Sequence, residues 1–144
     1  MQLRAFLEEQ NFFRIPLQKL PTGHYKFTAK VNGLSGDFIL DTGASTSCIG
    51  FHCADFFLLQ SEESDIKAAG AGAINMETRI SKQNSLKLGN KDFGNIAFVL
   101  FDLSHVNEAL AQAKAGSVHG IMGADFLKHH RAVIDYGRNC LYLK

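Results

Sequence analysis

Residues 38–50 of this chain read FILDTGASTSCIG, and they decide how the rest of the sequence is interpreted. The apolar run Phe38-Ile39-Leu40 leads directly into one acid, Asp41, which small and polar residues follow. Asp and Gly end strands in many proteins, so a strand that closes in an ordinary turn is the simplest explanation. The alternative is that the buried strand holds Asp41 in place for a chemical reaction.

The composition predicts one globular domain with little net charge. The 144 residues are 46% hydrophobic and 20% charged, and the formal net charge is +1. A chain of this length folds without disulfide or metal staples. Its charge balance gives no electrostatic reason to expect nucleic acid or an anionic membrane as a partner. The N-terminal stretch MQLRAFLEEQNFF carries acids where a signal peptide needs an apolar core, and no run has the length of a membrane helix.

The cysteines and histidines do not indicate a disulfide framework or a metal centre. Three cysteines, Cys48, Cys53 and Cys140, are an odd number, which argues against a disulfide framework and points to a reducing compartment. Neither His129-His130 nor the group of Cys48, His52 and Cys53 has a second ligand pair at zinc spacing. The glycine-rich stretch 68–73 lacks the Lys-Ser/Thr of a phosphate-binding loop. We therefore expect a cytoplasmic protein without metal or cofactor.

The spacing of apolar residues and glycines predicts a mainly β fold with two or three short helices. Residues 25–31 alternate between apolar and polar, Asn32-Gly33 predicts a hairpin turn, and the returning strand runs from Gly36 to Leu40. Further strands are expected at 15–20, 85–88, 96–101, 132–136 and 140–143, helices or turns at 3–9, 53–59 and 103–110, and a strand running into a helix at 120–127.

Two stretches of the chain together resemble the signatures of retropepsin-like aspartic proteases. The first is Asp41-Thr42-Gly43-Ala44-Ser45, which follows an apolar strand and resembles the active-site loop of that family. The second is Ile121-Met122-Gly123 with residues 124–127 after it. It resembles the family segment in which two hydrophobic residues and a glycine pass beneath the catalytic loop and a helix follows.

The resemblance implies a single-lobe retropepsin-like acid protease fold over nearly the whole chain. It covers residues 15–143, because the strands predicted near the C-terminus fit the last strands of the family. Residues 1–14 are then expected to be an N-terminal extension, and residues 15–144 the protease domain.

The same resemblance implies a role for each residue of the loop. Asp41 would be the catalytic acid and base, and Thr42 would hydrogen-bond across to a partner loop. Gly43 would let the backbone approach closely and take a dihedral closed to other residues. Ala44, grouped with the substrate-binding residues, stands where two-lobed pepsins tend to have Ser or Thr and where retroviral proteases have Ala.

Aspartic protease chemistry requires two carboxylates, and this chain supplies one. Two like charges about 3 Å apart cannot both ionise, so such a pair shares a proton. The ionised member takes a proton from water while the protonated member polarises the peptide carbonyl. The other candidate, Asp135-Tyr136-Gly137, has Tyr where a hydroxyl of Ser or Thr is needed, and it matches a closing strand of the family. We therefore predict a homodimeric aspartic endopeptidase that cleaves polypeptides, with two copies of Asp41 on the two-fold axis.

A glycine-rich hairpin, the flap, closes over the substrate in this family. The best candidate here is Ile66 to Ile80, with Gly70, Ala71 and Gly72 near its tip as substrate-binding residues. The hairpin contains no Tyr or Trp. That departure favours an alternative, a catalytically weak or inactive module that binds peptides or mediates dimerisation. An intact Asp-Thr-Gly favours catalysis, and a β-rich ligand-binding protein with an accidental motif is the third possibility.

Overall fold

The computed structural model describes residues 1–64, 68–70 and 73–144, and for 68–70 and 73–76 the description is of the backbone. The helices are α1 (Leu3–Glu9), α2 (Ser104–Gln112) and α3 (Ala124–His129), with a 3-10 helix at Phe51–Cys53. The strands are β1 (Phe13–Pro16), β2 (Gln18–Lys19), β3 (Tyr25–Val31), β4 (Leu34–Leu40), β5 (Cys48–Gly50), β6 (Glu62–Glu63), β7 (Ala68–Gly70), β8 (Ala73–Met76), β9 (Arg79–Leu88), β10 (Lys91–Phe101), β11 (Gly120–Met122), β12 (Val133–Asp135) and β13 (Cys140–Leu143). Within these described ranges, every helix is too short or too polar to cross a membrane.

The main sheet closes on itself around an apolar core. Its strand order is β2-β3-β4-β11-β5-β10-β9-β6, and β3 also pairs with β9, so six of the strands form a ring. Phe38 on β4 is fully buried at the centre of this core. Its ring lies 6.4 Å from that of Phe27, 6.3 Å from that of Phe57 and 6.1 Å from that of Phe98. Burying one such side chain stabilises the fold by about 1.5–3 kcal/mol, so the strand that leads to Asp41 is firmly anchored.

The predicted hairpin of β3 and β4 is confirmed. Asn32 and Gly33 both have positive φ, 51° and 86°, as a two-residue type I′ turn requires. The turn is tight enough for Val31 to pair with Leu34. The returning strand therefore begins two residues before Gly36, the start predicted from the sequence.

A second sheet joins the two ends of the chain. It has the order β1-β13-β12, and α1 packs on it through the buried side chain of Leu7, which contacts Cys140 and Tyr142. Since β1 starts at Phe13, pairing begins inside the range predicted as an extension, and the boundary at residue 14 stays a prediction.

The strand predicted at 15–20 is two strands in different sheets. Pro16 ends β1, and Leu17 donates its backbone N–H to Asn139 O at 2.8 Å. Gln18 then pairs with Lys26 on β3. Elsewhere tertiary pairing lengthens strands beyond their apolar runs: β9 begins six residues before Ser85, because its polar half pairs with β10.

Candidate active site

The two signature stretches meet at one edge of the main sheet. β4 and β11 run parallel, with Leu40 opposite Met122, so both strands end at the same edge. The backbone N–H of Asp41 donates to Met122 O at 3.0 Å and continues the pairing by one residue. Gly123 follows β11, and α3 begins at the next residue. The predicted passage of the second signature beside the loop, with a helix after it, is confirmed.

The carboxylate of Asp41 is held by its own loop and remains half-exposed. Its Oδ1 accepts a hydrogen bond from the backbone N–H of Gly43 at 2.9 Å. The backbone carbonyl of Asp41 accepts from the N–H of Ala44 at 3.2 Å, which closes the turn. Thr42 and Gly43 are exposed at the tip of the loop, so they are accessible to another molecule.

The structure supports one of the two roles predicted for Gly43 and contradicts the other. It lies outside the positive-φ region that favours glycine, so the predicted unusual dihedral is wrong. A Cβ at this position would lie 3.3 Å from Asp41 Oδ1 and press on the carboxylate. The backbone at Gly43 therefore approaches the Asp41 carboxylate closely, and a part for Gly43 in catalysis stays a prediction.

A hydrogen-bonded clamp fixes the far end of the loop, and the sequence patterns did not reveal it. The carboxylate of Asp125, in the first turn of α3, accepts the backbone N–H of Ser47 at 2.9 Å and its hydroxyl at 2.7 Å. The same hydroxyl oxygen accepts the N–H of Gly123 at 2.9 Å. Ser47 is fully buried whereas Asp125 is exposed, so these contacts are shielded from water on the Ser47 side only. Both residues stand inside the quoted stretches, but 78 positions separate them.

Gly123 lets the loop and α3 approach each other closely. A Cβ there would lie 2.6 Å from the carbonyl oxygen of Ala44 and 3.0 Å from that of Thr46. The N–H of Ala124 donates to the same Ala44 oxygen at 2.6 Å. The side chain of Ala44 packs against the core beside β11, so this residue anchors the loop, and its predicted contact with substrate stays a prediction.

Cys48 lies buried directly after the loop, and its thiol is unreactive near neutral pH. Burial, the largest cause, and the nearby charges of Asp125 and Asp41 together raise the pKa of the Cys48 thiol to about 12, although a backbone hydrogen bond at Ile121 lowers it in part. The thiol is therefore neutral and a poor nucleophile near neutral pH. Asp41 is the acidic side chain that the described part of this loop presents to solvent.

A two-stranded sheet lies where the sequence places the flap. β7 and β8 pair antiparallel, with Ala68 opposite Met76 and Gly70 opposite Ala73. Gly70 thus belongs to a hairpin separate from the Asp41 loop. Ile66, Ala71 and Gly72 lie outside the described residues, and the flap stays a prediction.

The chain belongs to the aspartyl protease family, whose model matches residues 27–126. This match spans both signatures and rules out an accidental motif. A comparison with curated proteins found no match.

Three solved structures share the retropepsin-like fold. A retropepsin-like aspartic protease from Rickettsia conorii has 20% identity and a TM-score of 0.56, over 92% of this chain and 87% of that one. The retroviral protease-like domain of Ddi1 from Leishmania major has 18% identity and a TM-score of 0.58, over 83% and 86%. EIAV protease, in complex with the inhibitor HBY-793, has 18% identity and a TM-score of 0.52, over 72% and 85%.

Proposed function

We propose that this protein is an aspartic endopeptidase that acts as a homodimer, with the two copies of Asp41 sharing one catalytic proton. The observation that carries the proposal is the loop itself. A family Asp-Thr-Gly sits at the end of a buried strand, with its carboxylate half-exposed and its tip directed out of the chain. One chain supplies one such carboxylate, so the pair requires a second copy.

A concave surface beside the loop suits that second copy. It has a volume of about 390 Å³, and its lining is mostly apolar: Thr42, Ala124, Leu127, Lys128, Arg131, Ala132 and Ile134. Strand β12 borders it and pairs with β13 on one side, while its other edge has no strand partner among the described residues. Unpaired edges and apolar hollows are stabilised when another chain covers them. The exposed Thr42 would then hydrogen-bond the loop of the partner.

The proposed reaction adds water to a peptide carbonyl between the two carboxylates. The ionised Asp41 takes a proton from the water as its oxygen attacks the carbonyl carbon, while the protonated partner donates its proton to the carbonyl oxygen. Collapse of the tetrahedral intermediate breaks the C–N bond, and the carboxyl that gained the water proton passes it to the leaving amine. One hydroxyl of the intermediate returns its proton to the other carboxylate as the C=O bond of the product acid forms, which restores the shared proton. The hairpin of β7 and β8, through residues such as Gly70, would hold the substrate backbone.

Asp41→Asn tests the chemistry. It keeps the acceptor for the Gly43 N–H but removes the shared proton, so cleavage of a denatured protein between pH 3 and pH 8 should fall by about 10²–10⁴-fold or more. Asp92→Asn is the matched control, because Asp92 Oδ1 accepts the N–H of Gly94, two residues further on, at 2.8 Å, as Asp41 Oδ1 accepts that of Gly43. Equal cleavage by wild type and Asp41→Asn would refute the proposal. Folded wild type without cleavage would favour the binding module instead.

Thr42→Ala tests the assembly. Sedimentation of wild type should show a dimer at micromolar concentration, and Thr42→Ala should shift the equilibrium toward monomer. Thr28→Ala, which removes an exposed hydroxyl bonded to Asp37 on β4, should leave the dimer unchanged. A wild type that stays monomeric well into the micromolar range would contradict the homodimer.

A further inference from the structure

Three arginines from separate parts of the chain surround one hollow near the three-stranded sheet. Arg4 lies on α1, Arg14 on β1, and Arg138 in the turn between β12 and β13. With Gln2 they line a cavity of about 270 Å³. We call these three side chains the arginine cluster. It concentrates positive charge on a chain whose formal net charge is +1.

The hydrogen bonds within the cluster leave an excess of positive charge and an unused donor. Arg4 Nε donates to the carboxylate of Glu8 at 2.6 Å, and Arg138 Nη2 donates to the neutral Gln2 Oε1 at 3.2 Å. The carboxylate of Asp135 accepts the backbone N–H of Arg138 at 3.3 Å, so three guanidinium groups stand against two carboxylates. Arg14 Nε is buried and has no acceptor among the described residues. Buried donors are paired in most folded proteins, since leaving one unpaired is costly.

The side chain of Tyr142 lies beside that of Arg14. Tyr142 on β13 stands directly opposite Arg14 in the strand pairing, and its side chain is fully buried. Its hydroxyl makes no hydrogen bond of standard geometry within the described ranges, and its polar neighbours are the Arg14 guanidinium and the Cys140 thiol. The unpaired donor of Arg14, together with two further guanidinium groups around the same cavity, is an arrangement that an acceptor-rich ligand would complete.

We propose that the arginine cluster is a binding site for a small tetrahedral oxyanion of the phosphate class. Guanidinium groups bind phosphate oxygens through paired N–H donors, and three of them converging from different elements suit a tetrahedral anion better than a planar carboxylate. The cavity lies just below the roughly 300–1,000 Å³ of pockets for drug-sized ligands, so it has room for a small anion. Bound there, the anion joins α1 to the turn between β12 and β13.

Calorimetric titration of inorganic phosphate tests the site, with ionic strength held constant by chloride. Wild type should bind one phosphate per chain saturably and acetate much more weakly. Arg138→Gln, at an exposed position, should weaken phosphate binding about 10-fold or more, as expected for a lost charge-assisted contact. Arg14→Gln should do the same. Arg79→Gln is the matched control, because it removes a guanidinium on β9 that donates to Ser61.

Three results would overturn the proposal. They are an absence of saturable phosphate binding to wild type, equal affinity in Arg138→Gln and Arg79→Gln, and equal binding of acetate. Asp41→Asn should bind phosphate as wild type does, since Asp41 is not part of the cluster. A failure of the protease proposal therefore leaves this test intact.

Discussion

Asp125→Ala tests whether the clamp on Ser47 holds the catalytic loop in place. The substitution removes the acceptor of the Ser47 backbone N–H, the Ser47 hydroxyl and the Phe126 N–H, with distances of 2.9, 2.7 and 2.7 Å. A hydrogen bond to a charged group contributes about 1.5–3 kcal/mol, and a buried donor left unpaired costs about 1–3 kcal/mol. Because Ser47 is fully buried but Asp125 is exposed to water, we expect Asp125→Ala to lower the free energy of unfolding by about 2–3 kcal/mol in total.

The assay is urea unfolding followed by far-ultraviolet circular dichroism, because the chain has no Trp for fluorescence. Asp125→Asn keeps one acceptor oxygen and should lose only about 1–2 kcal/mol. Asp102→Ala is the matched control, since Asp102 accepts the N–H and the hydroxyl of Ser104 at an exposed position. Protein concentration is held fixed across the series, because dimerisation contributes to stability.

The clamp also predicts an effect on catalysis. Displacing a catalytic group by about 1 Å can cost roughly 10²-fold in rate. Asp125→Ala that still folds should therefore lose peptide cleavage, although Asp125 does not touch the substrate in the proposed reaction. If Asp125→Ala unfolds at the same urea concentration as Asp102→Ala and wild type, the argument for the clamp is refuted.

Three further changes test the neighbourhood of the loop. Gly123→Ala should destabilise the fold by about 1–3 kcal/mol, because the new Cβ meets the Ala44 carbonyl oxygen. Gly137→Ala is its control and should unfold like wild type, because its Cβ makes only an ordinary contact of 3.4 Å with the Asp135 carboxylate. The raised pKa of Cys48 keeps the thiol neutral in the folded protein at a pH where the thiol of the unfolded chain ionises. The free energy of unfolding of wild type should therefore fall, relative to that of Cys48→Ala, by about 4 kcal/mol in full as the pH rises from 9 to 12. A parallel pH dependence of the two proteins would contradict this. Gly72→Val in the predicted flap should abolish turnover with folding retained, and unchanged turnover would place the flap elsewhere.

The sequence by itself determined the elements whose signals are local. Alternation over 25–31 and the Asn32-Gly33 pair specify a hairpin, because side chains alternate faces along a strand and this dipeptide accepts positive φ at both positions. The two signature stretches specified the family, since each is a short run with its own geometry. Asp41 could be singled out from those residues alone.

Only the tertiary structure decided which distant residues support that loop. Ser47 and Asp125 are common polar residues with no pattern of their own, and burial and proximity give them their role. The same holds for Gly123. A glycine is needed there because a Cβ would collide with the carbonyl oxygen of Ala44, which belongs to a distant segment of the chain.

The closure of the sheet and the arginine cluster likewise follow from the tertiary structure alone. Pairing of β3 with β9 brings residues more than fifty positions apart into register, and Arg4, Arg14 and Arg138 converge only because β1 pairs with β13. Local sequence encodes backbone preference and the alternation of faces. Which strands become neighbours, and which charges then face each other, follows from burying the whole core at once.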